Sequence, residues 1–183
     1  YLERGFEVLY IGKKDHPEAE AVLSISSHIH LIASYRDIDE FFTENKMILV
    51  TNQTTMSVYD TALMIQKIKE KYPGAVISQD ICDATKTRQE AIMNLTDTDT
   101  LIVVGDPTSN NTAQLANIGK TVGIERIIKI EDSAGLLNYE FTDNERIAVT
   151  SGASPPRYLT DNVINYLKTK DRRFLSNEIT DIL

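Results

Sequence analysis

The chain has 183 residues, 42% hydrophobic and 25% charged, and its 19 Lys and Arg against 27 Asp and Glu give a formal charge of −8. One cysteine, Cys82, excludes an internal disulfide scaffold and cannot by itself hold a structural zinc or an iron–sulfur cluster. The acidic balance, the absence of an unbroken basic run and a longest apolar stretch of only Leu101 to Val104 argue against nucleic-acid partners, anionic membranes and bilayer spans of roughly 20 residues.

Tyr1-Leu2-Glu3-Arg4-Gly5 is neither a signal peptide nor a translation start, so further chain upstream is expected. These residues read as the last turn of a helix closed by glycine, and the first strand follows at 6–11. Pro17 opens a helix, with His16 near its cap and Glu18 in its first turn. The next strands are 28–32, whose His28 and His30 are expected to meet solvent or an ordinary packing neighbour, and 47–51. A helix over 58–72 puts Val58, Ala62, Ile65, Ile68 and Tyr72 on one stripe, between a Ser57/Asp60 capping-box-like start and a Pro73-Gly74 stop. A short strand at 75–77 and a polar link near 78–81 precede Cys82 and a helix carrying Arg88 to Leu95. Strands at 100–105, 126–130 and 146–150 complete the set. A last helix follows Ser154-Pro155, with Pro at its first position and Leu159, Val163 and Leu167 on one face.

Continuous apolar strands alternating with helices predict an α/β fold with parallel sheets buried on both faces. The polar link divides it into two small α/β units, 1–79 and 80–170, with 171–183 as a C-terminal tail.

Four of the strands end in the same chemistry. Gly12 leads to Lys13-Lys14-Asp15-His16-Pro17-Glu18, Val50 to Thr51-Asn52-Gln53-Thr54-Thr55-Met56-Ser57, Val104 to Gly105-Asp106-Pro107-Thr108-Ser109-Asn110-Asn111-Thr112, and Val149 to Thr150-Ser151-Gly152-Ala153-Ser154. Each is a hydrophobic strand, a cluster of small polar side chains and a helix. In open parallel sheets ligands bind outside the carboxyl ends of the strands, where helix N-termini offer free N–H groups worth about 0.3–1 kcal/mol each toward an anion. Any one cluster read alone is an ordinary helix cap. Four in one chain point to a shared site for a small polyanion, which needs no basic patch. No dinucleotide or Walker-type glycine loop occurs. A lone cysteine is most often a small buried hydrophobe, but Cys82 just before a helix has the setting of a stabilised thiolate.

In this order the loops resemble the LytB-type 4-hydroxy-3-methylbut-2-enyl diphosphate reductases of isoprenoid biosynthesis. The matching residues are His16-Pro17-Glu18-Ala19-Glu20, Gln53 to Ser57, Asp80 to Thr85 with Arg88 to Ala91, Val103-Val104-Gly105 with Ser109-Asn110-Asn111, and Thr150 to Ser154. The resemblance implies an oxidoreductase of the methylerythritol phosphate pathway with three α/β lobes around a 4Fe–4S cluster. This chain would correspond to the second and third lobes. Cys82 would be one of three cluster cysteines, Glu18 the proton source, and His16, Ser109, Asn110, Asn111 and Ser154 diphosphate contacts, with Thr54 near the substrate hydroxyl. The implied partners are a small allylic diphosphate, an electron donor such as ferredoxin or flavodoxin, and the amino-terminal lobe. The implied setting is cytoplasmic, with neither nucleic acid nor membrane involved.

The chain departs from the family pattern at informative places. Asp15 and Ala21 stand where many members have glycine, Asn110 where serine is usual, and Asp106-Pro107 is unusual in its loop. The first lobe and two cluster cysteines have no counterpart here, so the chain alone is expected to be inactive. The alternative is a cluster-less, non-catalytic diphosphate-binding or interaction module.

Overall fold

The computed structural model describes residues 1–78 and 83–175. The chain divides into two compact units, Tyr1–Asp83 and Ala84–Leu183. In the first, strands β1 (Glu7–Ile11), β2 (Ile29–Ile32), β3 (Ile48–Asn52) and β4 (Val76–Ile77) form a parallel sheet in the order β2-β1-β3-β4, with helices α1 (Pro17–Leu23), α2 (Tyr35–Glu40) and α3 (Val58–Lys71) in the connections. In the second, β5 (Thr100–Val104), β6 (Arg126–Ile130) and β7 (Ile147–Ser151) form a parallel sheet in the order β6-β5-β7. Its helices are α4 (Asp83–Met93), which begins at the division, α5 (Asn110–Thr121) and α6 (Arg157–Thr169).

Both sheets are covered on two faces, as continuous apolar strands require. Leu9 and Ile11 of β1 pack with Ile48, Val50, Ile65 and Ile68 on one side, and Val8 and Tyr10 with Ala19, Ile29 and Leu49 on the other. In β5, Leu101 and Val103 join Ile92, Leu115 and Ile118, while Ile102 and Val104 join Ile128, Leu136 and Val163. Burying each such side chain stabilises by about 1.5–3 kcal/mol.

The expected elements are present, most strand ends moving by one residue. Leu2–Arg4 is a 3-10 turn closed by left-handed Gly5. α3 starts on Ser57, whose hydroxyl accepts from the Asp60 amide at 3.2 Å. Proline does not take the first position of α6: that helix begins at Arg157, with Pro156 as its extended N-cap. The second proline pushes Pro155 away from the helical region, which delays the start. Within the expected tail, Arg172–Leu175 is a 3-10 turn whose Phe174 carbonyl accepts from the Ser133 hydroxyl.

His28 is largely exposed and His30 packs against the Phe41 ring at 4.8 Å between centroids, as expected, but both imidazoles also share one carboxylate. Glu7 takes one imidazole on each carboxylate oxygen, from His28 Nδ1 at 3.0 Å and His30 Nε2 at 2.7 Å. The His30 bond, helped by His28 and opposed by partial burial, holds the Glu7 carboxyl below its ordinary value. Among the described residues no helix is long and apolar enough to cross a membrane.

Candidate functional site

Strand order selects two places. In the first sheet the winding reverses between β1 and β3, where Ile11 lies in register with Asn52. In the second it reverses between β5 and β7, where Val104 lies in register with Ser151. The crevice beyond such a pair of carboxyl ends is the general ligand position of an open α/β sheet.

At the first reversal the polar groups satisfy one another. Gln53, fully buried, accepts from the Lys13 amide through Oε1 at 2.9 Å and donates from Nε2 to Thr55 Oγ1 at 3.1 Å, tying the two loops together. Thr54 donates twice to Glu18, from its amide to Oε1 at 2.9 Å and from its hydroxyl to Oε2 at 3.1 Å. His16 caps α1, its Nδ1 accepting from the Glu18 amide at 3.2 Å, so the neutral ring carries its proton on Nε2. Asp15 has φ 60, the left-handed conformation that the family's glycine would adopt more easily.

At the second reversal the helix starts stay open. Ser109 sits at the N-cap of α5 and Pro156 at that of α6, and neither helix has a side-chain cap bond. The first N–H groups of each helix carry the positive end of its dipole. Beside them is a cavity of about 560 Å³ with Ser109, Asn111, Thr112, Gly152 and Ser154 in its wall. Gly105, with φ 149, lets the chain turn there: a Cβ would meet Thr112 Oγ1 at 2.9 Å and Pro155 Cγ at 3.2 Å. Asn111 is only 6% exposed and its Oδ1 has no hydrogen-bond partner. Such an orphaned buried group costs about 1–3 kcal/mol, which a ligand would recover.

A sequence profile described as LytB protein matches residues 1–168. The chain belongs to the LytB family. Its relatives include the 4-hydroxy-3-methylbut-2-enyl diphosphate reductase of Anoxybacillus flavithermus, 41% identical over 172 residues that cover 93% of this chain and 55% of the relative. The reductase of the same name from Listeria monocytogenes is 42% identical over 169 residues, covering 91% and 51%. The solved E-1-hydroxy-2-methyl-but-2-enyl-4-diphosphate reductase of Plasmodium falciparum superposes with a TM-score of 0.83 at 29% identity, over 95% of this chain and 55% of that one. The chain thus spans about half the length of the LytB relatives it matches.

The site residues expected from sequence fall into two groups. His16, Glu18 and Thr54 are bonded together in the first unit. Ser109, Asn111 and Ser154 share the cavity of the second, whereas Asn110 heads α5 outside the cavity wall. Cys82 lies outside the described residues. Sequence reasoning passed over Gln53 as a site residue, and also Thr112, Asp106 and Glu131, which belong to the cavity wall. A glutamine immediately after an apolar strand was the available signal for Gln53. Glu131 carried none, because only the pairing of β5 with β6 brings it to the cavity.

Proposed function

We propose that this chain supplies the diphosphate-binding and proton-delivering parts of a 4-hydroxy-3-methylbut-2-enyl diphosphate reductase. In that reaction two electrons and two protons replace the allylic hydroxyl by hydrogen and release water, giving isopentenyl and dimethylallyl diphosphate. The observation that carries the reading is the cavity of the second unit, flanked by two helix starts without side-chain caps and walled by Ser109, Asn111 and Ser154.

The roles of the chain's own residues follow from their chemistry. Ser109, Asn111 and Ser154, with the positive N-terminal ends of α5 and α6, bind the diphosphate. Glu18 delivers a proton, its carboxyl oriented by the two hydrogen bonds from Thr54. His16 acts on the diphosphate through Nε2, since Nδ1 is engaged with the helix. Cys82 would be a cluster ligand. A 4Fe–4S cluster of the family's kind needs three thiolates, and this chain has one cysteine. Among the described residues no group of three His, Cys, Asp or Glu side chains could hold a metal. Cys82 alone therefore does not hold the cluster. Ferredoxin or flavodoxin as electron donor and a cytoplasmic setting belong to the same reading.

A second reading, a cluster-less diphosphate-binding or interaction module, is favoured by the replaced glycines, Asp15 at φ 60 and Ala21. Two measurements separate them. The chain is titrated calorimetrically with (E)-4-hydroxy-3-methylbut-2-enyl diphosphate, and turnover is followed anaerobically with a chemical reductant after the complete protein, amino-terminal lobe included, is reconstituted with iron and sulfide. The reductase reading expects saturable binding in wild type and in Glu18→Gln, with turnover lost in the variant by about 10²-fold or more. Binding without any turnover or iron–sulfur absorption leaves the module, and absence of binding removes both.

A further inference from the structure

The wall of the second unit's cavity contains the carboxylates of Asp106 and Glu131 and, among the described residues, no lysine, arginine or histidine. Ser109, Asn111 and Ser154 offer neutral hydrogen-bonding groups, and helix starts add only partial charges. A full positive charge stands at the edge of the wall instead. Lys129 donates from Nζ to the Pro107 carbonyl at 3.1 Å, and Pro107 lies between two residues of the wall, Asp106 and Ser109.

The strand sets this reach. Ile128 and Ile130 of β6 pack with Leu136 and Val163, so Ile127 and Lys129 point to the opposite face, where Ile127 packs against the cluster that holds Leu115 and Ile118 of α5. Lys129, near the carboxyl end of β6, thus meets the loop that opens α5. That loop is closed by its own bonds: Thr108 donates its amide and its hydroxyl to Asp106 Oδ1 at 2.7 and 2.6 Å, and the Ser109 amide donates to the Asp106 carbonyl at 3.0 Å. Two features separate Lys129 from a cation that serves the fold. At the other end of β6, Arg126 is paired with Glu145 at 3.1 Å, whereas Lys129 has no carboxylate partner among the described residues and bonds only a neutral carbonyl, which leaves two of its three N–H donors for a ligand. A cation beside a helix start also opposes the helix dipole, so its place does not favour α5. An anion bound there would be attracted by both.

We propose that Lys129 is a further diphosphate-binding residue of this pocket, its ammonium held at the rim by the Pro107 carbonyl and supplying the full positive charge that the wall lacks. The inference rests on the diphosphate reading of the cavity given above. It divides the work: Ser109, Asn111 and Ser154 orient the ligand through hydrogen bonds, and Lys129 acts as a point charge.

The test is calorimetry of the chain with inorganic diphosphate in metal-free buffer at several NaCl concentrations, paired with thermal unfolding. Lys129→Met keeps the apolar stem and removes the charge, whereas Lys129→Arg keeps the charge and a donor for Pro107. Lys129→Met should weaken diphosphate binding about tenfold, the scale of one charge pair near a protein surface, and should make it less sensitive to salt. Its unfolding temperature should match that of wild type, because Lys129 is exposed and the loop is closed without it. Lys129→Arg should keep both the affinity and the salt dependence of wild type. Wild-type affinity and salt dependence in Lys129→Met would overturn the inference and leave the diphosphate site of Ser109, Asn111 and Ser154 standing. An equal loss of affinity in Lys129→Met and Lys129→Arg would also overturn it, since loop shape and not charge would then be what Lys129 provides. No saturable heat from wild type would remove the diphosphate site itself.

Discussion

In the first unit the helix starts beside the central strands are closed by their own side chains. His16 caps α1, Ser57 caps α3, and Thr54 occupies both oxygens of Glu18. In the second unit the corresponding starts of α5 and α6 have no side-chain cap, and the Oδ1 of buried Asn111, in the cavity wall, has no partner. The same strand, polar loop and helix pattern has been used for local stability in one unit and left unsatisfied in the other. Unsatisfied polar groups cost stability, so their retention points to what a ligand supplies.

The largest expected effect on this contrast is at Gly105. In Gly105→Ala the new Cβ meets Thr112 and Pro155 at a φ of 149. Thermal unfolding should show a loss of about 1–3 kcal/mol, and diphosphate binding should disappear with the turn that shapes the cavity. Ser57 and Ser109 form the next test, because both precede a helix but only Ser57 caps it. Ser57→Ala should cost about 1 kcal/mol and leave diphosphate affinity unchanged. Ser109→Ala should stay within about 0.5 kcal/mol of wild-type stability and weaken diphosphate binding. Equal stability losses in both variants would break the contrast.

The smallest effect lies far from either loop. Glu7 has its carboxyl lowered below 4.5 chiefly by the bond from His30. A carboxyl lowered on folding contributes stability that is present above its unfolded value and is lost as pH falls through the folded one. Acid unfolding of Glu7→Gln should therefore lack part of the stability decline that wild type shows below about pH 4.5. An identical acid limb in the two proteins would show that the His28–Glu7–His30 clasp adds nothing to stability.

The parallel strands were legible because their residues are buried on both faces: Leu101, Ile102, Val103 and Val104 are all fully inaccessible and read as one apolar run. α2 was not legible, since Tyr35–Glu40 buries only Ile38, and its Ser34–Asp37 capping box was the one local sign. The Glu7 clasp was also hidden, because the β1–β2 register, not local sequence, brings His28 and His30 to a residue more than twenty positions earlier. At the site, the clusters were visible but their states were not. Ser57 and Ser109 look alike in sequence, and only the folded loops show that one hydroxyl is engaged as a cap and the other is not. The family match carried the order of the motifs, whereas the carboxylates that share the cavity with Ser109 came from the fold.

The central claim is that the cavity of the second unit binds diphosphate through groups that folding leaves unsatisfied. Asn111→Leu tests it most directly, since it replaces an amide whose Oδ1 has no partner with an apolar side chain of similar size. Paired thermal unfolding and calorimetry with inorganic diphosphate are expected to show a variant as stable as wild type, or more so, that no longer binds. A variant that is clearly destabilised yet binds diphosphate as wild type does would contradict the claim, because Asn111 would then be a structural residue and not a ligand contact.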